Sequence, residues 1–246
     1  MFLVKGCDGL NLYELAFTCY VYNFFTSFNQ TYKDLQKNTK DSVDLRQETH
    51  RKDLIVWLNK WGCRQFALDY HQEASGELLA WYKKGHVEKL PISKNLWDLN
   101  NQELDQVVEI FDSLACRIAS KVIRNEKSIS KSFGSTGASK ILFALRPNIA
   151  VPWDSYIRNG LGYSGNGSSY VEFLIRLIEE IEELKESCIE NGYQLQEVPS
   201  IIGREGSTIP QLVGEYFWVI ETKKCYPPDG KIIQDWAAWS DSSKLC

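Results

Sequence analysis

The chain has 246 residues, of which 43% are hydrophobic and 24% are charged, and its formal net charge is −4. This length and composition are typical of a globular protein with a substantial core. The negative charge excludes a protein that binds polyanions over its whole surface. The seven cysteines contain no CxxC pair and the three histidines have no metal-ligand spacing, so we expect neither a disulfide framework nor a metal site.

The first residues, MFLVKGCDG, lack the basic start and the long apolar run of a signal peptide. The most apolar segment, Leu12–Phe28, is too short and too polar to span a bilayer. We therefore expect a cytoplasmic protein that acts as a monomer, without membrane contact and without a cofactor.

Helices are predicted for most of the first hundred residues. Leu12–Phe28 and Leu54–Trp61 carry apolar residues at helical spacing, and the second of these ends at Gly62. Residues 29–49 are polar and predict a loop or a weak helix. Gln65–Lys84 can form a further helix.

Start and stop signals mark three later helices, and we find no pair of strands. The predicted helices are Leu104–Val122 after a capping box of Asn100 and Glu103, Ser169–Asn191 with Ser169 and Glu172 as a second box and Gly192 as its stop, and a helix whose first turn contains Pro210. The predicted fold class is all-α. We expect an N-terminal helical region over 1–98, a central region over 99–192 and a C-terminal helix and tail over 193–246.

Charge is distributed unevenly along the chain. Arg117–Arg158 contains eight basic and two acidic residues, which gives a net charge of +6. Val171–Glu190 contains seven glutamates against two basic residues, a net charge of −5. The basic segment is either a local phosphate-binding face or the solvated surface of a helix.

The basic segment contains turn residues followed by a carboxylate. Gly134–Gly137 predicts a turn before a short helix, Ala138–Leu145, and Asp154 begins a second helix that carries Arg158. Backbone N–H groups at a turn before a helix, together with the helix dipole, bind anions. The candidate phosphate-binding residues are Lys131, Gly134, Ser135, Thr136, Gly137, Lys140 and Arg158.

This order of turn, helix, proline and aspartate resembles the helix-hairpin-helix DNA glycosylases. Segment 133–138, FGSTGA, stands where that family has a glycine hairpin that grips the DNA backbone. Segment 151–158, VPWDSYIR, stands where the family has a Pro-x-Asp run that ends in arginine. Leu161 and Gly162 are similar to the Leu-Gly pair that often closes the run.

The resemblance implies a multi-helix glycosylase fold with a helix-hairpin-helix motif. It further implies double-stranded DNA with a flipped base as the partner, and Asp154 as the catalytic carboxylate. Because its pattern diverges from that of the family, the chain also resembles the bacterial anti-phage glycosylases that excise hypermodified cytosine. Aromatic candidates for the base pocket or for stacking are Trp57, Trp61, Trp153 and Tyr156.

One departure from the family pattern bears on the chemistry. Lyase-competent members carry a lysine eighteen or nineteen residues before the aspartate, where this chain has Ser135 and Thr136. Lys140 is fourteen residues before Asp154, about one helical turn too late. The sequence therefore predicts a monofunctional enzyme that hydrolyses the N-glycosidic bond without cutting the strand.

Other interpretations remain open at this point. Asp154 can be an N-cap, Arg158 a surface cation, and the tryptophans core residues. The protein can also be a non-catalytic helix-hairpin-helix DNA-binding module, or another nucleotide-processing enzyme on the same scaffold.

Overall fold

The structure is a computed structural model, and it describes residues 9–66, 71–124 and 127–242. Over these residues the chain is mostly helical, with a single two-stranded sheet, so the predicted all-α class is confirmed at that coarse level. The elements are α1 Leu12–Phe25, α2 Phe28–Thr39, α3 Glu48–Lys60, α4 His71–Tyr82, α5 Asn101–Ala115, β1 Ile118–Arg124, β2 Lys127–Ser132, α6 Gly134–Leu145, α7 Ser155–Leu161, α8 Gly167–Glu190, α9 Val198–Ile201, α10 Ile209–Lys223 and α11 Gly230–Ser242.

The predicted helix Leu104–Val122 is wrong in its second half. Helix α5 ends at Ala115, and the chain then forms the antiparallel hairpin of β1 and β2, in which Ser120 lies opposite Lys131. The apolar residues of this segment fit both the helical and the strand period, but the β-branched residues from Ile118 onward favour a strand. The prediction that the chain has no pair of strands is therefore also wrong.

The signals at helix ends are mostly confirmed. Asn100 and Glu103 form the predicted capping box of α5. Gly62 and Gly192 follow α3 and α8 with φ angles of 81° and 78°, in the left-handed region that ends a helix. Pro210 lies in the first turn of α10.

Several boundaries differ from the prediction. Helix α1 ends at Phe25 rather than Phe28, and residues 29–49, predicted as a loop or a weak helix, include most of α2, whose Tyr32 and Leu35 are buried. Helix α8 begins at Gly167, because the side chain of Asn166 rather than that of Ser169 accepts the capping hydrogen bond. Helix α6 begins at Gly134, so the predicted turn is the first turn of the helix itself.

One continuous buried cluster includes residues of all three predicted regions. Helix α6 is almost completely buried between α3 and α5, and α10 packs against α1, α7 and α8. Rings of Phe111, Trp153, Tyr170 and Phe173 join α5, α8 and the segment before α7. No helix within the described ranges has the length and apolar character that crossing a bilayer requires.

Candidate functional site

A cavity of about 390 Å³ opens where α6, α7 and α10 meet the ends of α1 and α3. This volume is within the range of small-molecule sites. Its lining residues are Tyr22, Phe28, Trp61, Gly62, Gln65, Thr136, Lys140, Pro152, Asp154, Ser155, Tyr156, Ile157, Gln211, Gly214, Glu215, Trp218 and Thr222. Five of the residues singled out from the sequence are among them, namely Trp61, Thr136, Lys140, Asp154 and Tyr156.

The segment that carries Asp154 is fixed by buried hydrogen bonds. The Tyr170 hydroxyl accepts from the backbone N–H of Val151 at 3.0 Å and donates to its carbonyl at 2.9 Å. The Ser139 hydroxyl accepts from the N–H of Trp153 at 3.0 Å. Because the side chains of Tyr170 and Ser139 are both fully buried, their hydrogen bonds hold the backbone before Asp154 against α6 and α8.

Asp154 is the N-cap of α7. Its Oδ1 accepts hydrogen bonds from the N–H groups of Tyr156 and Ile157, both at 2.9 Å. Its Oδ2 accepts no hydrogen bond from any side chain or backbone group in the described ranges. The carboxylate is therefore held in one orientation by one oxygen, while the other can interact with a molecule in the cavity. The charge of Asp154 also contributes to the raised pKa of Tyr22, which is caused chiefly by burial and then by Glu215.

Lys140, which is predicted to contact the DNA backbone, lines the same cavity. It is 6% exposed, and its ammonium donates to the backbone carbonyl of Trp61. The Nζ atom lies 5.6 Å from the centre of the Trp61 ring, in the range of a cation–π contact.

Glu215 in the cavity wall belongs to a buried ion pair with Arg204. Both terminal guanidinium nitrogens of Arg204 donate to Glu215, each at 2.7 Å, and Gln211 donates to Glu215 at 3.1 Å. Burial raises the pKa of Glu215, although the hydrogen bonds from Arg204 and Gln211 oppose the rise. A bidentate pair of this kind fixes the orientation of the polar groups on α10.

One exposed aromatic side chain lines the cavity, and two more lie at the end of α1, whose Tyr22 also lines it. Tyr156, which lines the cavity, is 63% exposed. At the end of α1, Phe24 and Phe25 are exposed with ring centres 5.5 Å apart. The Lys223 ammonium lies 4.9 Å from the Phe25 ring and 5.3 Å from the ring of Trp218 in the cavity wall.

Trp57 and Trp153 are core residues and line no part of the cavity. Trp57 packs on Trp61 and on Tyr32, and Trp153 lies among the rings joining α5 and α8. Neither ring offers an exposed face for a base, in contrast to the prediction. Both side chains are buried because they point into the hydrophobic core.

Arg158 packs along the protein surface toward Trp153. Its guanidinium donates to the Thr136 hydroxyl at 3.1 Å and to the Trp153 carbonyl at 3.2 Å, and it lies 5.2 Å from the Trp153 ring centre. Burial lowers the pKa of Arg158, which the charge of Asp154 partly offsets. Through these contacts Arg158 on α7 is joined to α6 and to Trp153, the residue before Asp154.

The residues predicted as a backbone grip have different local roles. Gly134 has a φ of 65°, which favours glycine at the entry to α6. The Ser135 hydroxyl donates to the carbonyl of Gly165, so the loop before α8 covers this helix end. A Cβ at Gly137 would lie 3.1 Å from Gln65 Nε2, so this glycine permits close packing. Lys131 is exposed on β2.

Sequence reasoning missed most of the cavity wall formed by α10. Gln211, Glu215, Trp218 and Thr222 recur at helical spacing on one face of an otherwise apolar helix. Polar residues at that spacing within an apolar helix are the signal that indicates a buried polar face.

No cluster of histidine, cysteine, aspartate and glutamate in the described part of the chain is suited to hold a metal ion. Comparison of the chain with protein-family models, with curated proteins and with solved structures gives no match.

Proposed function

We propose that the protein is a monofunctional DNA N-glycosylase that hydrolyses the N-glycosidic bond of a modified base and leaves an abasic site. The observation that carries the proposal is the cavity in which Asp154 and Lys140 lie together between aromatic walls. The resemblance of residues 151–158 to the Pro-x-Asp run of the helix-hairpin-helix glycosylases supports this assignment.

The carboxylate of Asp154 matches the charge that develops when a glycosidic bond breaks. The sugar acquires positive charge in the transition state, as in glycoside hydrolysis. A fixed carboxylate stabilises that charge and orients an attacking water. The two hydrogen bonds to Oδ1 fix the carboxylate before the substrate arrives, so no reorganisation is needed during the reaction.

A duplex base enters such a cavity only after it has rotated out of the helix, which costs a few kcal/mol of lost stacking. Aromatic side chains at the entrance offset part of this cost by stacking on the neighbouring bases. The exposed rings of Tyr156, Phe24 and Phe25 take this role in our proposal, in place of the buried Trp57 and Trp153.

In this proposal the backbone of the DNA contacts exposed lysines outside the cavity. The exposed Lys131 on β2 and Lys223 at the end of α10 are the cations that we assign to phosphate contacts. Because each phosphate contact releases counterions, Lys131→Gln should weaken binding to any DNA sequence and lower the slope of log K against log salt by about one. An unchanged slope places the DNA elsewhere.

The test of the function compares the wild type with Asp154→Asn on phage DNA with hypermodified cytosines and on unmodified DNA. Asparagine is as good an N-cap as aspartate, so the variant keeps α7 and removes only the charge. We expect alkali-labile abasic sites in modified DNA with the wild type, and a loss of about 100-fold or more with Asp154→Asn. If neither protein produces abasic sites in modified DNA while both bind it equally, the protein is a DNA-binding module and the enzyme proposal fails.

The monofunctional assignment has its own test. A lyase forms a Schiff base between a lysine and the abasic sugar, which borohydride traps as a covalent adduct. We expect no adduct on abasic DNA, because the Lys140 ammonium is engaged by the Trp61 carbonyl. An adduct that disappears in Lys140→Ala contradicts this part of the proposal.

A further inference from the structure

Lys140 is the most unusual charged group of the cavity. It is 6% exposed, and its ammonium has one hydrogen bond, to the carbonyl of Trp61. No carboxylate in the described ranges lies within 4.0 Å of its Nζ. A lysine ammonium has three donors, so two of them have no acceptor within the described protein.

The contact with Trp61 explains only part of this arrangement. Trp61 is the C-cap of α3, and a lysine that donates to a carbonyl there interacts favourably with the helix dipole. A buried cation is nevertheless costly unless it is paired and hydrogen-bonded. Because Lys140 lines the cavity, a bound molecule can supply the missing acceptor and the missing negative charge.

We propose that Lys140 donates to a carbonyl oxygen of the flipped base and stabilises the negative charge that the base acquires as it leaves. This inference rests on the proposed function and deepens it. The cavity then has a carboxylate for the sugar, which becomes positive, and an ammonium for the base, which becomes negative. Asp154 and Lys140 are complementary to the two charges that separate when the bond breaks.

The step balances as a hydrolysis. The bond between the sugar C1′ and the base nitrogen breaks, and both electrons go to the base. Water attacks C1′ and forms the new C–O bond, and its proton passes through Asp154 to solvent. The base anion, held by Lys140, takes up a proton and leaves as the neutral base.

The proposal defines a class of substrate. Bases with a carbonyl group, such as cytosine, uracil and their derivatives, can accept the hydrogen bond from Lys140, whereas adenine has no carbonyl oxygen. A modified cytosine is consistent with this class.

The experiment measures binding of free bases by ¹⁹F NMR, so that it does not depend on turnover. The probes are 5-fluorouracil, which has carbonyl oxygens, and 2-fluoroadenine, which has none. We expect the wild type to bind 5-fluorouracil about tenfold or more tightly than 2-fluoroadenine, because a hydrogen bond to a charged donor is among the strong ones. Equal affinities, or no binding of 5-fluorouracil, overturn the proposal without the need for any variant.

The variant Lys140→Gln keeps a donor for the Trp61 carbonyl and removes the charge. We expect it to bind 5-fluorouracil about tenfold more weakly and to lose the tightening that the wild type shows when the base is deprotonated at higher pH. Lys185→Gln, which removes an exposed lysine of α8 that does not line the cavity, should bind as the wild type does. Wild-type affinity in a folded Lys140→Gln overturns the proposal.

These outcomes are separate from those of the excision assay. Binding that depends on Lys140 without any excision supports the base site and contradicts the glycosylase function. Excision that depends on Asp154 but leaves Lys140→Gln fully active supports the function and contradicts the role of Lys140.

Discussion

Tyr170→Phe should destabilise the protein although it removes only one oxygen atom. The hydroxyl is fully buried and is hydrogen-bonded to both the N–H and the carbonyl of Val151. Phenylalanine fills the same space but leaves both backbone groups without a partner, at about 1–3 kcal/mol each. We expect a loss of about 2–6 kcal/mol in the free energy of unfolding. For a chain of this size that corresponds to a decrease in Tm of roughly 4 to 24 °C.

The matched control is Tyr163→Phe. Tyr163 packs on Trp153 in the same group of rings, with centres 6.2 Å apart, but its hydroxyl has no hydrogen bond within the described ranges. Urea unfolding of both variants should show a large effect for Tyr170→Phe and a change below about 0.5 kcal/mol for Tyr163→Phe. Equal, small effects refute the reasoning that the Tyr170 hydroxyl fixes the segment before Asp154.

Three further predictions concern stability. A Cβ at Gly214 would lie 2.3 Å from a valine methyl, so Gly214→Ala should cost about 1–3 kcal/mol in urea unfolding, whereas Gly76→Ala, with open space around it, should be neutral or stabilising. Glu215→Gln leaves the buried Arg204 charge uncompensated and should cost about 3–5 kcal/mol; a change below about 1 kcal/mol contradicts this. Burial lowers the pKa of His86, so the unfolded chain binds its proton more tightly and stability should fall as the pH drops below about 6.5. The slope of stability against pH in this window should be smaller in His86→Gln, and an identical slope contradicts the assignment.

Helix ends could be predicted from the sequence because their signals are local. The capping box at Asn100, the left-handed glycines Gly62 and Gly192, and Pro210 each act within a few residues of their own position. Asp154 belongs to this class, since its carboxylate caps the helix that follows it. For that reason its place at a helix start was predicted correctly.

The β hairpin could not be predicted in the same way. Its residues satisfy both a helical and a strand period, and only the pairing of Ile118–Arg124 with Lys127–Ser132 distinguishes the two. The surroundings of Gly134 could not be predicted for the same reason, because a strand rather than a helix precedes α6. A helix-hairpin-helix motif in the predicted form therefore does not occur at this point of the described chain, and the resemblance remains strongest in residues 151–158.

The cavity depends on contacts between distant parts of the chain. Lys140 and Trp61 are 79 residues apart, and no spacing along the sequence indicates that their hydrogen bond forms at the cavity that Asp154 also lines. Judged by its distance from Asp154 along the chain, Lys140 is too late for a lyase, and the sequence predicts that it contacts the DNA backbone. It is buried at the cavity instead, and its ammonium has no ion pair with a carboxylate in the described ranges. This makes Lys140, together with Asp154, the residue on which the proposed chemistry is most directly tested.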